Sequence, residues 1–117
     1  MGGPGPSILV VEDDPSLRLL CRVNLELEGY EVREAASLGE ARRALEGERP
    51  LLVVLDVHLG SEHSEELLDE LRTGGVPVLL VTGSADASDY RDRASEVLSK
   101  PYEPDALIAA ARRLAVG

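Results

Sequence analysis

The sequence predicts an α/β fold: a doubly wound, parallel five-stranded sheet with five helices packed on its two faces. Two observations lead there. Short apolar runs and longer amphipathic segments alternate five times along the chain, and such alternation builds a parallel sheet with right-handed crossovers. The runs Leu51–Asp56 and Val76–Val81 are apolar on both faces, which suits strands in the middle of a sheet covered on each side.

Ile8–Val11, rich in β-branched residues, forms the first strand. Asp14 then precedes Pro15, an N-cap followed by a residue suited to the first helical position. This helix runs to about Glu28, with Leu17, Leu20, Cys21, Leu25 and Leu27 on its apolar side, and Gly29 stops it. Tyr30–Ala35 is the second strand. Ser37 caps the second helix with Glu40 three residues on, a capping-box pattern, and Leu38, Ala41 and Leu45 face inward. After a turn at Gly47–Pro50 comes the third strand, Leu51–Asp56. Glu65–Thr73 is the third helix, with Leu67, Leu68 and Leu71 inward and Gly74 and Gly75 at its end. Val76–Val81 is the fourth strand and ends in Thr82. The polar segment Asp86–Ala94 is expected to form a short fourth helix, and Val97 and Leu98 mark a brief fifth strand. Pro104 opens the last helix, where Leu107, Ala110, Ala111 and Leu114 make one stripe and Arg112 and Arg113 suit the dipole of the last turn.

With 117 residues the chain suits one domain, 7–117, behind a flexible leader at 1–6. It has no Phe and no Trp, so the core must be aliphatic. A net charge of −10 argues against contact with nucleic acid or an anionic membrane. The single cysteine, Cys21, cannot form an internal disulfide, which fits a reducing cytoplasm. No segment reads as a signal peptide, and the longest apolar runs are too short to cross a bilayer. A cytoplasmic protein is expected.

The chemistry collects at the strand ends. Glu12, Asp13 and Asp14 follow the first strand, Asp56 ends the third, Thr82 the fourth, and the fifth leads to Lys100. In parallel α/β sheets the carboxyl ends of the strands share one rim, where sites form. Bunched carboxylates repel, and near an interior the repulsion raises their pKa values unless a cation is shared. An all-carboxylate cluster without a His or Cys ligand set suits a hard cation such as Mg²⁺. Asp56 is placed to act as a nucleophile toward phosphorus, with Lys100 pairing with the phosphoryl group and Thr82 donating a hydrogen bond to it. Asp14 reads as a helix cap rather than a ligand. His58 and His63, two histidines in one loop, read as solvated rather than as a zinc site.

The segments "LVVEDDP", "VVLDVHL", "LLVTG" and "LSKP", in this order and each at a strand end, resemble the receiver domain of bacterial two-component response regulators, over about Ser7–Ala115. The resemblance implies a flavodoxin-like sheet of order 2-1-3-4-5 and a phosphorelay receiver that takes a phosphoryl group from a sensor histidine kinase or a histidine phosphotransfer domain. It implies Asp56 as phosphoacceptor and Mg²⁺ held by Glu12, Asp13, Asp56 and the backbone carbonyl of His58, with Asp13 the direct ligand. Thr82 matches the switch hydroxyl and Lys100 the lysine of the site, and the Lys100–Pro101 bond is expected to be cis. Such a domain is not a turnover enzyme; it catalyses only its own phosphorylation and dephosphorylation.

Three departures bear on output. Gly60 stands where the family usually has proline, and Ser64 where glycine is usual, so the loop "GSEHSE" is expected to have another shape. Val97 takes the place of the switch aromatic. The interval from Thr82 to Lys100 is short, which is why the fourth helix is expected to be short. The chain is expected to be a stand-alone receiver or one domain of a larger protein such as a hybrid histidine kinase. Two other functions stay open: an interaction module that is never phosphorylated, and a Mg²⁺ phosphatase working through an aspartyl phosphate. The intact Asp13, Asp56, Thr82 and Lys100 set opposes the first. The second lacks a carboxylate two residues after Asp56, where His58 stands.

Overall fold

The computed structural model describes residues 7–60, 62–83 and 87–116; the leader expected at 1–6 lies outside them. The strands are β1 (Ser7–Val11), β2 (Glu31–Ala35), β3 (Leu52–Asp56), β4 (His58–Leu59), β5 (Glu62–His63), β6 (Val78–Gly83) and β7 (Glu96–Lys100). The helices are α1 (Pro15–Leu27), α2 (Leu38–Leu45), α3 (Glu65–Thr73) and α4 (Pro104–Leu114). Five strands form one parallel sheet in the order β2-β1-β3-β6-β7, the 2-1-3-4-5 arrangement.

Alternation along each strand sorts the core onto two faces. Leu9, Val11, Leu55, Leu68 and Leu80 lie in one buried cluster, together with α2 and α3 residues. Ile8, Val10, Cys21, Leu25, Val54, Leu79 and Leu107 lie in the other, together with α1 and α4. The core is aliphatic, as the composition requires.

The caps follow the sequence. Asp14 Oδ1 accepts from the N–H groups of Ser16 and Leu17 at 2.9 and 3.4 Å. Ser37 Oγ accepts from Glu40 N–H at 3.2 Å, and Glu40 reaches back to the Ala36 N–H at 3.0 Å. Gly29, just past α1, has φ +96°, the left-handed conformation that ends a helix. Leu27, expected on the buried side of α1, is 77% exposed. It lies two residues beyond the buried Leu25, about 200° around the helix, so the two cannot share a face.

A further correction and a second finding concern the loops. Instead of a fourth α-helix, the described part of the segment between β6 and β7 holds one 3-10 turn, Ala87–Tyr90, so among the described residues four α-helices flank the sheet rather than five. Ser and Asp at positions 88 and 89 favour turns over helix interiors, and the N–H groups of Arg93 and Ala94 both fold back onto Tyr90 O. The expected start at Asp86 lies outside the described residues. Arg93 ties this segment to α3 through Glu65 at 2.9 Å and Asp69 at 3.2 Å. Its guanidinium carbon sits 5.6 Å from the Tyr90 ring centroid, and Arg72 donates to Asp92 O at 2.7 Å. The second finding is the antiparallel hairpin β4–β5, inserted between β3 and α3 where the loop was expected to have another shape. No helix among the described residues is long and apolar enough to cross a membrane.

Candidate functional site: an acidic pocket at the sheet rim

Each strand end delivers one group to the rim. The N–H of Glu12 donates to Ala35 O at 3.0 Å, extending the β1–β2 ladder by one residue and holding Glu12 in the pocket. Asp56 is the last residue of β3, paired with Val81 of β6. Glu12 and Asp56 are each only 4% exposed. Lys100, the last residue of β7, reaches between them, with Nζ 3.1 Å from Glu12 Oε1 and 3.0 Å from Asp56 Oδ2. The Lys100–Pro101 bond is cis, as expected. Asp13 is exposed, yet one carboxylate oxygen each from Glu12, Asp13 and Asp56 lie within 4.8 Å of one another. Among the described residues Asp14 is not part of that group; its carboxylate is spent on the α1 cap. Arg18 donates to Glu12 O at 2.9 Å and so fixes the loop that carries both acids.

The electrostatics follow from this crowding. Burial, then the hydrogen bond and charge of Asp56, push the Glu12 carboxyl up to about 7, against the pull of the Asp14 N–H and Lys100. Burial works against the Lys100 ammonium, but the hydrogen bonds and charges of Asp56 and Glu12 outweigh it and raise its pKa. The lysine thus partly occupies the role that a shared cation would fill. Behind it, Tyr102 Oη and Cys21 Sγ lie 3.0 Å apart, and burial pushes the pKa of both groups up.

Thr82 is 1% exposed, and its Oγ1 is buried with no hydrogen-bond partner among the described residues. A buried hydroxyl left unpaired costs about 1–3 kcal/mol, which is an incentive to meet a ligand oxygen. Val97 sits on β7 opposite Leu80 and packs against the core beside α3.

The hairpin explains both departures in the loop. Gly60 has φ +62° at the turn between Leu59 and Glu62. Proline is locked near φ −65° and cannot adopt it. Ser64 is 1% exposed, and its hydroxyl lies against two carbonyls, Asp56 O and Val57 O, the latter at 2.8 Å. Its N–H also donates to Val57 O at 3.1 Å. The hairpin is thereby anchored to the backbone at the end of β3, and His58 N–H donates to Asp56 Oδ1 at 3.2 Å. Gly60→Pro should break this turn and cost stability, roughly 3 kcal/mol or more as for other misplaced prolines. Urea unfolding of the two proteins measures the loss; an unchanged midpoint would contradict this reading of the loop.

The structure therefore brings Glu12, Asp13, Asp56 and Lys100 together and places Thr82 at the same rim. Sequence reasoning missed Ser64 as an anchoring donor. The signal was present in a Gly-x pair flanked by matched two-residue segments, a hairpin pattern.

The response regulator receiver domain family model matches residues 8–112. A DNA-binding dual master transcriptional regulator, RpaA, from Synechocystis is 30% identical over 117 residues, covering 93% of this chain and 48% of that protein. The DNA-binding response regulator MtrA of Mycolicibacterium smegmatis is 33% identical, covering 90% of this chain and 48% of that protein. The chain spans about half the length of these curated relatives. Among solved structures, the receiver domain of NtrX from Brucella abortus superposes with a TM-score of 0.85 at 33% identity, covering 92% of this chain and 97% of that one. A CheY-like response regulator receiver domain protein from Methanospirillum hungatei gives 0.83 at 30% identity, covering 93% and 92%.

Proposed function

Because the chain belongs to the response regulator receiver domain family, we propose that it is a phosphoacceptor switch, phosphorylated on Asp56 by a phosphohistidine partner with Mg²⁺ as cofactor. The observation that carries this reading is the convergence of two buried carboxylates, a bridging ammonium and an unpartnered buried hydroxyl at one rim. Two buried carboxylates sharing one ammonium leave an excess of negative charge, which a bound cation would offset.

The donor set fits Mg²⁺: all oxygen, three carboxylates within reach of one ion, two of them buried. Asp13, Asp56 and Glu12 would hold it, with the His58 carbonyl completing the protein donors. When bound, the ion offsets the charge shared by the carboxylate and the incoming phosphoryl oxygens. Asp56 supplies the nucleophile. One of its oxygens forms the new O–P bond as the P–N bond of the phosphohistidine breaks, and the departing imidazole keeps the electron pair and takes a proton. Lys100 follows the negative charge from the carboxylate to the phosphoryl group. Thr82 Oγ1 donates the hydrogen bond for which it has no other acceptor. His58 stands where a hydrolytic enzyme of this type would carry its acid/base carboxylate, so the protein acts on itself alone, once per phosphorylation.

The partner would dock at the edge formed by α1 and the segment after β7, where Lys100 reaches Asp56. That edge carries an apolar groove of about 430 Å³, lined by Leu17, Leu20, Pro101 and Tyr102 with Lys100 at its polar end. Exposed Leu19 and Val23 extend the apolar surface of α1. A helical phosphohistidine domain of a sensor kinase or phosphotransfer protein fits this edge.

The test uses acetyl phosphate as donor and intact mass as readout. The parent should gain one phosphoryl group only with Mg²⁺ present, and lose it to hydroxylamine, as an acyl phosphate does. Asp56→Asn should gain none. Equal labelling of that variant would overturn the assignment, and labelling without divalent metal would remove the cofactor from it.

A further inference from the structure

We propose that Ser64 is a positioning residue for phosphoryl transfer: its buried hydroxyl holds the backbone bend that aims the Asp56 carboxylate. This inference rests on the reading of Asp56 as phosphoacceptor. Ser64 is 1% exposed, and its Oγ meets two successive carbonyls, Asp56 O and Val57 O, the latter at 2.8 Å. In a regular strand successive residues face opposite ways, so one hydroxyl reaches both carbonyls only because the chain bends at Val57. Val57 N–H donates to Val81 O of β6 at 3.0 Å, and Ser64 N–H donates to Val57 O at 3.1 Å. A hydroxyl carries one proton and donates to one carbonyl at a time. Val57 O already has the Ser64 N–H, which leaves Asp56 O as the carbonyl that depends on the hydroxyl. The β1–β3 register ends at Val11–Leu55, one residue before Asp56.

What the bend sets is the carboxylate. It brings His58 N–H to Asp56 Oδ1 at 3.2 Å, while Lys100 Nζ holds Oδ2 at 3.0 Å. With one donor on each oxygen, the carboxylate cannot turn about its own torsion without breaking a bond. The carbonyl of His58, a donor in the proposed metal site, belongs to the same short stretch. A reacting group misplaced by about 1 Å can lose about a hundredfold in rate. Outer-shell partners of metal ligands commonly contribute about tenfold or more to affinity or activity. Ser64 reaches neither the phosphoryl group nor the ion; it acts through Asp56 and His58.

Ser64→Ala deletes the hydroxyl and keeps the Cβ and the backbone N–H. Parent and variant, each the full chain, are compared at a temperature where melting curves show both folded. In metal-free protein the His58 amide proton should move upfield as its bond to Asp56 Oδ1 lengthens. Calorimetry should show Mg²⁺ bound about tenfold more weakly. With acetyl phosphate and saturating Mg²⁺, the maximal phosphorylation rate should fall about tenfold or more, while the half-saturating donor concentration stays the same. A variant that melts lower but keeps the His58 signal, the Mg²⁺ affinity and the maximal rate would make Ser64 a hairpin anchor only, and would overturn this inference alone. A loss confined to the half-saturating concentration would overturn it as well. A parent that takes no phosphoryl group on Asp56 would overturn the reading beneath it, and the inference with it.

Discussion

In metal-free buffer the protein should lose stability as pH rises from about 4.5 to about 7, the interval over which the unfolded and then the folded Glu12 give up their proton. The folded pocket keeps that proton because burial and Asp56 disfavour the second charge. A group whose folded pKa is raised favours folding below its unfolded value, and that contribution disappears as pH passes the folded value. At about 1.4 kcal/mol per pH unit, the loss is at most about 3.5 kcal/mol. In thermal melts this is on the order of 10 °C for a domain of this size. Glu70 does not mask the effect, because its hydrogen bond with Arg42 lowers its pKa and moves its titration below this interval. Saturating Mg²⁺ should reverse the slope, since it binds the deprotonated carboxylates and only in the folded state. Glu12→Gln should flatten the metal-free profile. Coincident profiles for parent and variant between pH 4.5 and 7.5 would remove Glu12 as the cause.

The second large effect belongs to Thr82. With beryllofluoride and Mg²⁺ as a phosphoryl mimic, amide NMR signals of Gly83 and of residues 87–94 should move, and Thr82→Ala should largely abolish the response. A ligand shifts a conformational equilibrium only by its differential affinity for the two states. A hydrogen bond to a charged group is worth about 1.5–3 kcal/mol, so the variant should reduce the shift in equilibrium roughly ten- to hundredfold. Thr82→Val, which keeps the buried methyl and deletes only the hydroxyl, should leave metal-free stability unharmed, because that hydroxyl has no partner among the described residues. The response should spread to α3, to which Arg93 and Arg72 fasten the segment. Val97→Ala should leave it nearly intact, since an aliphatic packing residue carries no polar link to the phosphoryl group. The opposite ranking of the two variants would place the coupling at position 97.

How much of this could be read from the residues depends on where the information lies. Strand ends were legible, because a run apolar on both faces must stop where the sheet meets water, and parallel topology puts all such stops on one rim. Hence Glu12, Asp13, Asp56, Thr82 and Lys100 were found, as was the crowding that raises the Glu12 pKa. The helix caps were equally local. Leu27 was misplaced because an apolar residue near the end of α1 was counted by type and not by angle. In the described part of the segment between β6 and β7 a 3-10 turn stands where a helix was expected, because Ser and Asp at positions 88 and 89 favour a turn over a helix interior. Gly60 and Ser64 were noticed as departures, but their joint meaning needed the hairpin, in which the left-handed glycine and the anchoring hydroxyl act together. The bridging of Glu12 and Asp56 by one ammonium is a tertiary fact with no local signature.

The central claim, that Asp56 is the residue that accepts phosphate, is tested most directly by locating the adduct. The protein is phosphorylated with acetyl phosphate and Mg²⁺, the acyl phosphate is reduced with borohydride, and the peptides are sequenced by mass spectrometry. The account predicts a single homoserine, at position 56. Modification at Glu12 or Asp13 with Asp56 unchanged would contradict it.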